Sequence, residues 1–66
     1  MDYKSLTGME ISEARKALGY WWILEGQSIG VETAVYEFTR AGVGSIALFT
    51  IRNIVKDVKT KLILLM

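Results

Sequence analysis

The chain contains no cysteine, no histidine and no proline. Without cysteine no disulfide can brace the fold, and without cysteine or histidine the common zinc sites cannot form. Catalysis by a serine–histidine or cysteine–histidine pair is excluded for the same reason. We therefore expect a protein that is not an enzyme, binds no metal or cofactor, and has no evident small-molecule substrate.

Long apolar runs are missing as well. The two continuous ones, Tyr20–Leu24 and Leu62–Met66, have five residues each, whereas a membrane-spanning helix needs roughly 18. The N-terminus is polar and shows no signal peptide. These features predict a cytoplasmic protein with no membrane segment.

Hydrophobic side chains, in contrast, are abundant. A chain of 66 residues is expected to form one domain, 1–66, which buries only about 60% of its unfolded surface. Hydrophobic residues nevertheless make up 52% of it. Small domains without disulfides or metals rely on tight helix packing or on self-association. We expect part of the apolar surface to contact a protein partner or a second copy in a homodimer.

The net charge is only +1, but the charges are unevenly distributed along the chain. From Tyr20 to Thr39 there is no lysine or arginine, and all the charge is negative. The remainder of the chain, from Ala41 onward, is predominantly basic. The acidic stretch contains Glu25, Glu32 and Glu37, and the basic one contains Arg52, Lys56, Lys59 and Lys61 against Asp57.

Glycines and polar caps predict helices in the first two thirds of the chain. Thr7 and Glu10 have the spacing of a capping box, and Gly19 supplies a left-handed stop, which predicts a helix over 8–18. Two further short helices are expected over 21–29 and 32–40, followed by a glycine-rich loop at 41–44 and an N-cap at Ser45.

The last third shows the most regular apolar spacing. Six residues recur three and four positions apart, as along one face of a helix: Leu48, Ile51, Val55, Val58, Leu62 and Leu65. We interpret this pattern as a helix that faces the core, with a dimer seam as the alternative. Residues 60–66 could instead form a short strand.

Taken together, these spacings resemble the lambda-repressor/Cro-like (XRE) helix-turn-helix family. The similarity extends from Leu6 to about Ile63 and is carried by the segments LTGMEISEARKALGY, IGV, ETAVYEFTRAGVGS and TIRNIV. It implies an all-α bundle of four to five short helices, in which the third helix enters the DNA major groove.

The positions that contact DNA in that family are altered here. Trp21 and Trp22 stand where a Ser-Gln pair is common, and Glu32 and Glu37 replace a hydroxyl cap and a basic residue. Carboxylates close to phosphate oppose binding, because affinity for DNA comes largely from cations. We therefore interpret the chain as an engineered or strongly diverged member that contacts protein instead of DNA.

An aromatic patch is the predicted protein interface. A helix buries only one stripe, so some residues of Tyr20–Leu24 must face outward. The predicted interface residues are Trp21, Trp22, Leu24 and Tyr36, with Leu62 and Leu65 as a second self-association surface. The alternative is that the tryptophans complete a small core. Glu25 is expected to face solvent and not to act as a buried base.

The alternative function is a sequence-specific transcriptional regulator that binds DNA as a dimer. Gln27, Thr33 and Arg40 would then carry the DNA contacts.

Overall fold

A computed structural model describes residues 2–62 and shows a four-stranded antiparallel sheet with one short helix. A 3₁₀ turn at Tyr3–Leu6 and helix α1 (Ile11–Leu18) precede the strands. These are β1 (Ile23–Ser28), β2 (Thr33–Arg40), β3 (Gly44–Ile51) and β4 (Ile54–Leu62). The strands lie in the order β1-β2-β3-β4, so each pairs with the next one along the chain.

This architecture overturns the expected all-α fold and the resemblance to helix-turn-helix domains. The helices expected over 21–29 and 32–40 are β1 and β2. The reason lies in side-chain type, because β2 reads Thr-Ala-Val-Tyr-Glu-Phe-Thr-Arg and is rich in β-branched and aromatic residues. Such residues lose rotamer freedom in a helix but pack well on a pleated sheet.

The last expected helix is likewise a β-hairpin, in which β3 and β4 join at Arg52 and Asn53. Both turn residues have positive φ, +51° and +66°, as a two-residue type I′ turn requires. The helical spacing has a specific origin. A β-bulge places Lys56 as an extra residue in β4, between the partners of Thr50 and Phe49, so Val55 and Val58 both face the core although they are three residues apart.

The first helix does form, but it begins later than predicted. Its N-cap is Glu10, whose carboxylate accepts a hydrogen bond from the Ser12 backbone N–H at 3.0 Å. The expected capping box therefore does not form, and Thr7 instead ends the 3₁₀ turn. Gly19 ends the helix as predicted, with φ of +90°, a conformation that costs glycine little.

Backbone hydrogen bonds attach this N-terminal layer to the start of β4. The Gly8 N–H donates to the Val55 carbonyl at 2.7 Å, and the Val55 N–H donates to the Met9 carbonyl at 2.8 Å. The layer is thereby held over one face of the sheet. The core between them consists of Leu6, Ala14, Trp22, Phe38, Ile46, Leu48, Val55 and Val58.

Candidate interaction face

Strand alternation gives the sheet two different faces. Along β3, Gly44, Ile46, Leu48 and Thr50 are buried, and the residues between them are half-buried. The buried set points toward the N-terminal layer, and we call this side the covered face. We call the opposite side the open face. Register and alternation assign the open face Ile23, Glu25, Gln27, Thr33, Val35, Glu37, Thr39, Ser45, Ala47, Phe49, Ile51, Ile54, Asp57, Lys59 and Lys61.

The centre of the open face is apolar. Val35 and Phe49 lie directly opposite each other on β2 and β3, with Ala47 and Ile51 on either side of Phe49 along the strand. All four side chains are half-buried and lie outside the core cluster. No element among residues 2–62 packs over them. The middle of the sheet therefore leaves a partly exposed apolar strip, which makes this face a candidate contact surface.

Charges of opposite sign border this apolar centre. One row across the four strands reads Glu25, Glu37, Ala47, Lys59. The two glutamates are directly opposite each other, an arrangement that destabilises a sheet. Lys59 is two strands away from Glu37, roughly 10 Å at the usual strand spacing. The β1–β2 side of the open face is thus acidic, and the β4 side carries Lys59 and Lys61 together with Asp57.

Within residues 2–62 the ion pairs are formed by other side chains. Lys16 lies 3.8 Å from Glu13 on α1, and Arg52 Nε lies 2.9 Å from a Glu32 carboxylate oxygen. The described chain therefore leaves the acidic pair of the open face without a cation of its own.

A shallow hollow accompanies the acidic pair. It has a volume of about 340 Å³ and is lined by Glu25, Gly26, Gln27, Val35 and Glu37. Its walls combine two carboxylates, an amide and an apolar floor, which suits an inserted side chain with an aliphatic stem and a cationic or amide end.

The structure divides the predicted aromatic patch. Trp21 is 80% exposed, whereas Trp22 is only 7% exposed and belongs to the core. There the Trp22 ring meets Tyr3 edge-on, with ring centroids 6.4 Å apart. The interface role predicted for Trp22 is thereby corrected: the small-core alternative describes this residue, because its indole fills the space beneath the N-terminal layer.

Leu24 and Tyr36 face the same covered side. Both are half-buried and pack against the core cluster. The Tyr36 ring lies over Gly26, so closely that a Cβ at residue 26 would be 2.8 Å from its Cε1 atom. Tyr36 therefore fills the space left by the glycine, and neither side chain forms an exposed patch with Trp21.

The remaining predicted residues do not converge on one site. Leu62 is 48% exposed at the end of β4, and Leu65 lies outside the described residues. Gln27 and Thr33 are close to the β1–β2 turn, whereas Arg40 is at the other end of β2, roughly 23 Å away at about 3.3 Å per residue. The three residues expected to contact DNA are thus not brought together, and no recognition helix presents them.

Sequence reasoning missed the central residues of the open face. Val35, Ala47 and Phe49 were assigned to helices or left without a role. The β-branched and aromatic residues of β2 and β3 were the available signal. Glu25 does face solvent on β1, and the separation of negative from positive charge along the chain becomes the polarity of this face.

A polar cleft of about 530 Å³ near the β1–β2 turn is lined by residues such as Ser28, Tyr36 and Asn53. Within residues 2–62 no cluster of carboxylates could hold a metal ion, and no helix there has the length and apolarity to cross a membrane.

Comparison of the chain with known protein families, with characterised proteins and with solved structures gave no significant match.

Proposed function

We propose that this protein is a self-associating interaction module, in which the open face of one copy packs on the open face of a second copy. The observation that supports the proposal is the composition of that face: an apolar centre with carboxylates on one side and lysines on the other. A surface of this kind is complementary to itself, because a second copy supplies apolar side chains for the centre and charges of opposite sign for the two sides.

Packing considerations favour the same interpretation. An antiparallel sheet can leave a polar face in water, but an apolar face is stabilised when a second layer covers it. Two sheets pack about 10 Å apart with interdigitating side chains. The helix and the 3₁₀ turn cover one face only. A second sheet over Val35, Phe49 and Ile51 would remove these side chains from water, and burying apolar area is the main favourable contribution to association.

Sedimentation velocity over a wide concentration range tests the proposal. We expect the weight-average sedimentation coefficient of the wild type to rise from the monomer value toward the dimer value between micromolar and millimolar concentrations. Phe49→Asp places a charge in the middle of the open face, and we expect it to remain monomeric. Far-UV circular dichroism of each variant verifies that the sheet is intact.

Val31→Asp is the matched control. Val31 is fully exposed in the β1–β2 turn, so a carboxylate there should leave association unchanged. A wild type that stays monomeric at every concentration would refute the proposal, as would a Phe49→Asp variant that associates like the wild type.

A further inference from the structure

We infer that the two copies are related by a two-fold axis parallel to the strands, and that Glu25, Glu37 and Lys59 select the partner. This inference rests on the proposed function and adds to it the arrangement of the dimer. In this arrangement β1 of each copy lies over β4 of the other.

Two arrangements are available to aligned sheets in a symmetric dimer. The two-fold axis lies between the sheets, and it runs either across the strands or along them. An axis across the strands places each strand over its own counterpart. The acidic β1–β2 side would then face the same acidic side of the second copy, and like charges juxtaposed in an interface are strongly unfavourable.

An axis along the strands exchanges the two sides of the sheet and keeps each cross-strand row at the same height. In the row Glu25, Glu37, Ala47, Lys59, Lys59 of the second copy lies over Glu25. Ala47 of the second copy lies over Glu37 and leaves room for the longer side chain. Glu25 therefore gains a facing cation that its own chain does not provide within residues 2–62.

The neighbouring row follows the same rule. It reads Gln27, Val35, Phe49, Asp57, so Phe49 of the second copy lies over Val35, and Asp57 of the second copy lies over Gln27. Apolar side chains meet in the middle, and groups able to form hydrogen bonds meet at the sides. The hollow of about 340 Å³ beside Glu25 and Val35 is where Lys59 and Phe49 of the second copy arrive.

The charges contribute more to the choice of partner and arrangement than to the affinity of the dimer. Solvent-exposed ion pairs add little to affinity, and salt screens them. The repulsion between Glu25 and Glu37 within one chain is relieved only by the arrangement along the strands, however. Because salt screens the ion pairs between the two copies, we expect the wild type to associate more weakly at high ionic strength.

Charge reversal tests the arrangement. The double variants Glu25→Lys/Glu37→Lys and Lys59→Glu/Lys61→Glu each place like charges over one another in their own dimers. We expect either one alone to associate about tenfold more weakly than the wild type, or worse. An equimolar mixture of the two should recover wild-type association, because opposite charges then meet at both ends of the interface.

The quadruple variant, which combines all four reversals, distinguishes the two axes. If the two-fold axis runs along the strands, the quadruple variant should associate with itself as the wild type does but should not pair with the wild type. If the axis runs across the strands, the variant should pair with the wild type in preference to itself. Native mass spectrometry of the quadruple variant mixed with ¹⁵N-labelled wild type counts the homodimers and heterodimers directly.

The outcomes separate this inference from the proposed function. Statistical or preferential heterodimers in that mixture would overturn the arrangement while leaving self-association intact. A monomeric wild type would overturn both. All four substituted residues are exposed, so the fold should tolerate the reversals. Should the quadruple variant misfold, Glu25→Lys/Lys59→Glu against the wild type gives the same test.

Discussion

Phe38 and Phe49 are the same residue type on adjacent strands, and they have different environments. Phe38 points to the covered face and is 1% exposed. Phe49 points to the open face, where it is half-buried by its neighbours in the sheet and by no second layer among residues 2–62. The difference shows that one eight-residue helix with a 3₁₀ turn is sufficient to bury the centre of one side of the sheet, while Gly26 and Ser28 on that side stay exposed. Among residues 2–62 no helix lies over the other side.

The largest expected effect is in the core. Truncating a buried phenylalanine to alanine typically costs roughly 3–5 kcal/mol, and a domain of this length has about 3–10 kcal/mol of stability in total. Phe38→Ala should therefore lose most of its stability, and Phe49→Ala much less. Urea unfolding at a concentration where the protein is monomeric measures both.

Phe38→Leu keeps the comparison measurable if the alanine variant does not fold. Equal losses at Phe38 and Phe49 would show that the open face is covered in the monomer, which would contradict the assignment of the two faces.

Trp21 and Trp22 form a second matched pair. The expected difference in stability between their variants is comparable to that between the phenylalanine variants, or somewhat smaller. Trp22→Ser removes an indole that is 7% exposed and should destabilise the protein by about 3 kcal/mol or more. Trp21→Ser removes one that is 80% exposed and should change stability by about 0.5 kcal/mol at most. Thermal unfolding followed by circular dichroism compares the two variants.

Fluorescence offers an independent check. The Trp21→Ser variant, which retains only the buried indole, should emit at shorter wavelength than the Trp22→Ser variant under folding conditions. Identical emission maxima in folded samples would contradict the placement of Trp22 beneath the N-terminal layer.

The smallest expected effect concerns the cap of the covering helix. The hydrogen bond from the Ser12 hydroxyl holds the pKa of the Glu10 carboxyl below its ordinary value of 4.5. Because the folded state favours the charged form, this contribution is present above pH 4.5 and is lost as the pH falls through the lowered pKa. Glu10→Gln should therefore flatten the acid limb of the stability profile slightly.

Denaturant unfolding from neutral pH down to about pH 3 measures that limb. Ser12→Ala should flatten it in the same way, since it removes the donor instead of the acceptor. An unchanged acid limb in both variants would show that the Glu10 cap does not stabilise the fold.

Part of the structure could be predicted from the sequence. The helix that ends at Gly19 and the turn at 41–43 were predicted from their glycines, which act over a few residues, whereas the predicted capping box and the loop position of Gly44 were wrong. The strands were missed because apolar spacing alone does not separate short strands from short helices. The bulge at Lys56 made this worse, because it gave Val55 and Val58 a helical spacing within β4.

The candidate site was harder to predict than the fold. Its apolar centre and its charged sides come from all four strands, and their cross-strand neighbours depend on the pairing register. Trp21 and Trp22 could not be distinguished from the sequence either. They are adjacent and identical, and only the path of the chain into β1 exposes the first and buries the second.

The sequence by itself determined that no cysteine or histidine chemistry is available, that apolar side chains exceed what one small domain can easily bury, and that negative and positive charge are separated along the chain. Only the tertiary structure decided where these properties lie. Antiparallel pairing of β1 through β4 turned a separation along the chain into a separation across one surface, because strand order follows chain order. The side that each residue faces was likewise set by register, which is a property of pairs of strands and not of any single segment.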